Sequence, residues 1–180
     1  TITTTGTKPS VNDELTNNSD NVVKETVNSI TKNEAVSNVQ TGLNNVITSD
    51  DVDEAVELRQ AGIKKPILVL GYSFPECYER IVAYDIRQTV FQMEMAEALS
   101  KEAAKQKKKA VIHIKLDTGM GRIGIAPDES GCNFIENLLN SNWIEIEGVF
   151  THFACADSNS EFTEMQIKMF NDTIQHLENL

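Results

Sequence analysis

The stretch VIHIKLDTGMGRIGI, residues 111 to 125, constrains the fold more than any other part of the chain. Side chains two positions apart lie on the same face of a β-strand. Ile112, Ile114 and Leu116 therefore form one wholly aliphatic face. The opposite face ends in charge, and its members are Val111, His113, Lys115 and Asp117. This pattern is typical of a barrel strand whose outer face meets helices and whose C-terminal mouth carries chemistry.

A glycine-rich turn follows this strand. Gly119, Gly121 and Gly124 fall within six residues, and glycine allows the backbone to turn sharply and to approach a bound group closely. Arg122 offers a planar, permanently charged fork that suits a carboxylate or a phenolate oxygen. Glycine-rich strand exits are common, so these residues alone are equally consistent with an ordinary strand end carrying a solvated lysine and arginine.

Length and charge exclude several classes of protein. The chain has 180 residues, a net charge of -11 and a pI of about 4.7, which argues against nucleic acid and anionic membrane surfaces as partners. It contains no apolar run of membrane-spanning length and no signal-peptide pattern. The cysteines are odd in number and widely spaced, which predicts reduced cytosolic thiols rather than a disulfide frame or a metal site; they are Cys77, Cys132 and Cys155.

The chain divides into two compositional regions. Residues 1 to 45 are rich in Thr, Asn, Ser and Val and lack aromatic residues, which predicts a low-complexity leader that is disordered or marginally helical. From residue 46 to residue 180, apolar runs of strand length alternate with helical patterns, which predicts a parallel α/β fold. The predicted strands are 67–71, 87–92, the stretch from 111, and 145–153. The first predicted helix runs from the cap Asp51 to Gly62, which is placed as its left-handed C-cap glycine. Further helices are predicted within 73–82 and over 93–105, 130–139 and 160–180, the last two each with an apolar stripe.

The region from residue 46 is shorter than the roughly 250 residues of a complete eight-stranded barrel. Its final helical pattern reaches the last residue without a C-cap, so the sequence predicts a truncated barrel. An incomplete barrel leaves sheet edges and apolar helix faces uncovered, which predicts self-association.

Four segments resemble one family of enzymes. KLDTGMGRIG resembles the signature of the alanine racemases, which are pyridoxal-phosphate enzymes with a TIM-barrel domain. The other three segments follow the family order over about residues 50 to 180; they are VDEAVELRQAGI with PILVLG, then QTVF, and finally GVFTHFACAD. The resemblance implies a partial TIM (β/α) barrel, a pyridoxal 5'-phosphate cofactor and an amino-acid substrate.

The resemblance also implies roles for individual residues. Arg122 would bond the cofactor's phenolic oxygen and help hold the substrate carboxylate, and Lys115, often carbamylated in the family, would hold Arg122 in place. His152 would join the hydrogen-bond network behind the arginine that faces the pyridine nitrogen; without the resemblance, a lone histidine at a strand end is more often structural. The backbone around Met120 would lie near the substrate. His113 has no family role and is predicted to be a barrel-interior residue.

Racemisation requires one base on each face of the substrate Cα. The family uses a Schiff-base lysine and a tyrosine from the partner subunit's C-terminal domain. Lys24, in NVVKETVNSI, is the Schiff-base candidate because residues 22 to 24 match the start of the family's lysine motif. The remainder of that motif is absent, so a chance lysine in the leader is the alternative. The chain's own tyrosines lie in a different part of the sequence from the family's; they are Tyr72, Tyr78 and Tyr84.

These observations leave two hypotheses of different classes. In the first, the chain is part of a cytoplasmic alanine racemase that interconverts L- and D-alanine for the cell wall, as a homo-oligomer or completed by another chain. In the second, it is a degenerate, non-catalytic barrel fragment that serves as an interaction module or weak cofactor binder. Both expect this chain to be inactive by itself. A serine-acting relative is a third option, because no residue is identified that reads the substrate side chain.

Overall fold

The computed structural model describes residues 46 to 178, and the structural statements below concern that part of the chain. The predicted leader and Lys24 lie outside it, so the leader prediction and its boundary at residue 45 stay predictions. The strands are β1 Ile47–Ser49, β2 Ile67–Val69, β3 Arg87–Val90, β4 Ala110–Lys115 and β5 Ile144–Phe150. The helices are α1 Val52–Gln60, α2 Tyr78–Ala83 after a 3-10 turn at Pro75–Cys77, α3 Met93–Gln106, α4 Glu129–Leu139 and α5 Ser160–Glu178.

The strands form one parallel sheet in the order β1-β2-β3-β4-β5, so each strand pairs with its neighbours in sequence. Helices connect the strands, as parallel pairing requires. This arrangement confirms the predicted fold class, a partial TIM barrel built from consecutive βα units. None of the helices between residues 46 and 178 combines the length and the apolar composition needed to cross a lipid bilayer.

Local signals in the sequence set where several helices begin and end. The carboxylate of Asp51 accepts a hydrogen bond from Glu54 N at 2.8 Å and caps α1, as predicted. Gly62 follows the end of α1 with a φ of +92°, which confirms its place as the left-handed residue after the helix. Asp128 caps α4 by accepting from Ser130 N and Gly131 N.

The core lies between the sheet and the helices. The aliphatic face of β4 is fully buried, because Ile112, Ile114 and Leu116 each have 0% exposure. This face packs in one cluster with helix residues such as Leu99 and Ile135, as the strand pattern predicted. The opposite, inner face of the sheet is defined here by the paired positions Thr89, His113, Lys115, Gly148 and Phe150.

Two features differ from the sequence predictions. Strand β1 was not predicted, because two of its three residues, Thr48 and Ser49, are polar and give neither an apolar run nor an alternation. The apolar stripes expected on α4 and α5 are buried at Ile135, Leu138 and Phe170, but one residue of each is not: Leu139 is 61% exposed and Met165 is 45% exposed. The buried face of α5 also includes Gln166 and Thr173, whose polar groups are hydrogen-bonded within the protein.

Candidate active site

Lys115 ends β4 on the inner face of the sheet. Its partner across the β4–β5 pair is Phe150, and the Lys115 Nζ lies 4.8 Å from the centroid of the Phe150 ring. Only 3% of Lys115 is exposed. Among residues 46 to 178, its ammonium has no hydrogen-bond or ion-pair partner, and the face of the Phe150 ring lies within the range of a cation–π interaction.

This environment lowers the pKa of Lys115 from 10.5 to about 8. Burial is the largest cause, because removal from water disfavours the charged form. The positive charge of Arg122 lowers the pKa further, and the carboxylate of Asp117 opposes both effects. A substantial fraction of Lys115 is therefore a neutral amine near pH 8, which is the nucleophilic form.

The turn after β4 is held by backbone and carboxylate contacts. Asp117 Oδ1 accepts hydrogen bonds from Gly119 N at 3.0 Å and from Gly121 N at 2.9 Å. A single bridge between Leu116 and Ile125 closes the base of the turn. Gly124, with φ of +140°, lies so close to this bridge that a Cβ would stand 2.6 Å from Asp117 N. The glycine spacing seen in the sequence therefore serves a closed turn that carries Arg122.

Arg122 and His152 complete a group of three basic side chains. Arg122 is exposed and has no hydrogen bond or ion pair to any residue between 46 and 178. His152 follows β5 and is half-buried. Burial lowers the pKa of His152, and the charges of Lys115 and then Arg122 lower it further. The three side chains thus share one electropositive region at the carboxyl ends of β4 and β5, where TIM-barrel enzymes place their active sites.

His113 lies one inner-face position before Lys115, toward the amino end of β4. Its Nε2 is 2.9 Å from Glu147 Oε2, and Glu147 in turn accepts a hydrogen bond from Arg87 at 3.1 Å. The ring packs over Gly148, where a Cβ would stand 2.9 Å from His113 Nδ1, and this Nδ1 is buried without a hydrogen-bond partner. Burial lowers the pKa of His113 despite Glu147, so a neutral ring donates from Nε2 and supports the sheet below the site.

A buried polar network that the sequence analysis missed joins the two exit loops to α5. Gln166, with 0% exposure, bonds to Thr118 after β4 and to the backbone of His152 and Ala154 after β5. The hydroxyls of Thr118 and Thr151 lie 2.8 Å apart. A signal was present in the sequence, because a glutamine between Met165 and Met169 interrupts an otherwise apolar stripe.

The structure brings most of the predicted site residues together. Lys115, Arg122 and His152 share the site, and Met120 is half-buried in the same turn as Arg122. Lys24 lies outside the described residues. Two tyrosines are engaged elsewhere: Tyr78 is buried in the hydrophobic core, where burial raises its pKa to about 12, and the Tyr84 hydroxyl accepts a hydrogen bond from Gln60 on α1. The third, Tyr72, is 45% exposed and stacks edge-on against Phe74.

A family model described as the alanine racemase N-terminal domain matches residues 18–180. The chain belongs to the alanine racemase family. The alanine racemase of Clostridium novyi (strain NT) is 45% identical over 121 residues, which are 67% of this chain and 31% of that protein. The alanine racemase of Methanococcus maripaludis is 44% identical over 126 residues, which are 69% of this chain and 34% of that protein. The chain thus spans about a third of these relatives.

Solved alanine racemases share the fold. The enzyme of Clostridium difficile 630, in complex with cycloserine, has a TM-score of 0.74 at 29% identity, over 88% of this chain and 49% of that one. The enzyme of Bacillus anthracis with bound L-Ala-P has a TM-score of 0.64 at 35% identity, over 74% of this chain and 34% of that one. Members of this alanine racemase family depend on pyridoxal phosphate.

The basic residues of the racemase-like site fit the anionic side of pyridoxal phosphate. Arg122 has free guanidinium donors. They can all bind a phenolate oxygen, or some can bind the phenolate and the others a carboxylate. Asp117 Oδ1 accepts from two backbone amides, and Asp117 forms no ion pair with Arg122. The guanidinium of Arg122 is therefore available to an anionic group such as the phenolate of the cofactor.

Proposed function

We propose that this chain is part of a pyridoxal-phosphate racemase that interconverts L- and D-alanine. The observation that carries the proposal is the group of basic side chains formed by Lys115, Arg122 and His152 at the C-terminal mouth of the barrel, which has no ion pair to a carboxylate among residues 46 to 178. The alanine racemase relatives support this reading over a non-catalytic barrel fragment. When bound, pyridoxal phosphate stabilises the carbanion that forms on loss of the Cα proton.

Arg122 binds the phenolic oxygen and orients the substrate carboxylate. Its turn is closed by the Leu116–Ile125 bridge and by Asp117, so the guanidinium is presented on a fixed backbone. A preorganised donor loses little energy to reorganisation when charge develops at the ligand. His152 receives a lowered pKa from burial, Lys115 and Arg122, and so acts as a neutral hydrogen-bonding group near pH 7.

Lys115 holds Arg122 after conversion to a carbamate. The ammonium first loses one proton; the neutral amine then adds carbon dioxide, forms a new N–C bond and releases a second proton, so over the two steps the side chain changes from a cation to an anion. As an ammonium, Lys115 is repelled by Arg122; as a carbamate, it attracts the guanidinium. The pKa of about 8 keeps enough neutral amine present for this reaction near neutral pH.

Lys24 would hold the cofactor through its side-chain amine and would accept the proton on one face of the substrate. It lies within residues 18–180, the span that the family model matches. The resemblance to the family implies that the second base is a tyrosine of a partner subunit, since this chain's own Tyr72, Tyr78 and Tyr84 lie in a different part of the sequence from the family's. The three free cysteines of residues 46 to 178 are in keeping with the reducing cytoplasm.

The test is to incubate the chain with pyridoxal phosphate, reduce it with borohydride and map the modified peptide by mass. Labelling of Lys24 alone is the expected result. A Lys24→Arg variant, which keeps the charge but cannot form the covalent link, is the matched control and should show no label. Label spread over several exposed lysines, or equal label in the variant, would reject Lys24 and leave only the family fold.

A further inference from the structure

We propose that Gln166 is a positioning residue that fixes the turn of Arg122 relative to His152. Its side-chain amide joins the loops that leave β4 and β5, while its backbone belongs to α5. The inference about the two loops stands on geometry alone. Its consequence for cofactor binding rests on the proposed function.

The hydrogen-bond directions of the amide follow from its partners. Ala154 N can only donate, so the Gln166 atom 3.0 Å away is the carbonyl oxygen Oε1. The other atom is then Nε2, and its two hydrogens go to His152 O at 3.2 Å and to Thr118 Oγ1 at 3.0 Å. Both hydrogens of the amide are therefore used, one for each exit loop.

The network continues through two hydroxyl groups. Thr151 Oγ1 donates to Leu116 O at 3.0 Å, so it must accept from Thr118 Oγ1, 2.8 Å away. The donors run in one direction from Gln166 through Thr118 and Thr151 to the carbonyl of Leu116, the residue directly after β4. All of these side chains are at least nine-tenths buried, where a hydrogen bond is stronger than in water and a missing partner is costly.

The first turn of α5 adds a steric contact to the same turn. The ring of Phe162 lies 2.9 Å from the place where a Cβ on Gly119 would stand. Phe162 is four residues before Gln166, so both project from one side of the helix. The side chain of Asn159 accepts from Phe162 N at 3.0 Å and anchors the start of α5 directly after the β5 loop.

The hydrogen bonds of Gln166 do more than hold α5 against the sheet. An apolar side chain of the same length would pack α5 against the sheet without burying the two polar atoms of an amide. The glutamine instead sets the spacing between Thr118, four residues before Arg122, and the backbone of His152. The expected function of the amide is therefore to limit the relative motion of the two loops that carry the site.

The experiment is amide hydrogen exchange on the purified chain and its Gln166→Met variant. Methionine matches the length of glutamine but offers neither donor nor acceptor of comparable strength. We expect exchange to accelerate about tenfold both in residues 117–122 and in residues 152–154, with the remaining sheet unchanged. The matched control is Thr173→Val on the same buried face, which removes only a bond to Met169 O and should leave both loops protected.

A second pair of variants keeps the test decisive if Gln166→Met does not fold. Thr118→Ser retains the hydroxyl and should preserve protection in both loops, whereas Thr118→Val should lose it. Unchanged exchange in the loops of Gln166→Met, or equal loss across the whole sheet, overturns the positioning role. So does equal exchange in the serine and valine variants.

The consequence for the site is measured separately, by titrating pyridoxal phosphate and following its absorbance. Gln166→Met should weaken binding about tenfold relative to the parent chain, while Thr173→Val should bind normally. Faster loop exchange with unchanged affinity would reject the link between the loops and the cofactor site. A parent chain that binds no pyridoxal phosphate would reject the proposed function, and the exchange data would still decide whether Gln166 couples the loops.

Discussion

Arg122 provides the exposed cation of the site, and its guanidinium makes no hydrogen bond within residues 46 to 178. Replacing it therefore removes the group that we propose binds the ligand, without removing a contact that holds the fold. Lys115 differs in this respect, because it is only 3% exposed and its replacement would also change the packing of the fold.

In an assembly with racemase activity, Arg122→Ala should lower kcat/KM by at least about a hundredfold, because a charged donor to the reacting groups is lost. The free energy of unfolding should change by less than about 0.5 kcal/mol, as for other exposed positions. Racemisation assays and urea unfolding measure the two effects. Arg80→Ala is the control, since Arg80 pairs with Asp53 on α1. Parental rates in Arg122→Ala would falsify the site assignment.

The amine of Lys115 should react with an acylating reagent with a midpoint near pH 8, compared with the ordinary lysine value of 10.5. Mass spectrometry of the Lys115 peptide over a pH series measures this midpoint. In Arg122→Ala the midpoint should rise, because the repelling charge that lowers the pKa is removed. A midpoint near the ordinary value in the parent chain would contradict the burial argument.

Among the elements, the turn between β4 and α4 shows how backbone geometry places a side chain. All three of its glycines have positive φ, and two of them differ sharply in their surroundings. Gly121, with φ of +69°, has nothing within 4 Å of an added Cβ. Gly124 has φ of +140°, and its Cβ would meet Asp117 N and the carbonyl carbon of Leu116, which are backbone atoms that cannot move aside.

Gly124→Ala should therefore lower the free energy of unfolding by about 2–4 kcal/mol and open the Leu116–Ile125 bridge. Gly121→Ala should cost only about 1 kcal/mol, the penalty for a left-handed residue with free space. Urea unfolding of both variants, with hydrogen exchange at Asp117 N, measures the difference. Similar costs for the two substitutions would show that the crowding at Gly124 is not real.

Elements with a clear period could be predicted from the sequence, and those without one could not. Strand β4 was predicted because its aliphatic residues alternate with polar ones, and α1 because Asp51 and Gly62 mark its two ends. Strand β1 has three residues and no period, so only its pairing with β2 defines it. Lys115, Arg122 and His152 were found through motifs, whereas Gln166 was missed because its partners are backbone atoms and hydroxyls far away in sequence.

For the whole molecule, the buried bases determine how stability responds to acid. His113 and His152 both have pKa values below the ordinary 6.5, so the unfolded chain binds these protons more readily than the folded chain. Where the unfolded state binds more protons, stability falls as the pH falls. The loss begins near pH 6.5 and continues down to the folded pKa values. The pKa of Lys115 is likewise lowered on folding, from 10.5 to about 8. Lys115 therefore also reduces stability as the pH falls through that interval.

The urea midpoint should therefore fall between about pH 7 and about pH 5. His113→Gln should make this decline shallower, because the variant has one titrating base fewer. The control is His176→Gln, whose side chain is 56% exposed and which should leave the slope unchanged. A decline of the same slope in His113→Gln and in the parent chain would argue against burial of a neutral His113.

The strand order β1-β2-β3-β4-β5 also determines when the site can form during synthesis of the chain. Each strand finds its partner among residues that the ribosome has already released, so the sheet can grow as the nascent chain emerges. The loops that carry Arg122 and His152 emerge before Gln166 does. A nascent chain therefore exposes its basic groups before they are fixed, and productive capture of a ligand must wait until the first two turns of α5 have left the exit tunnel.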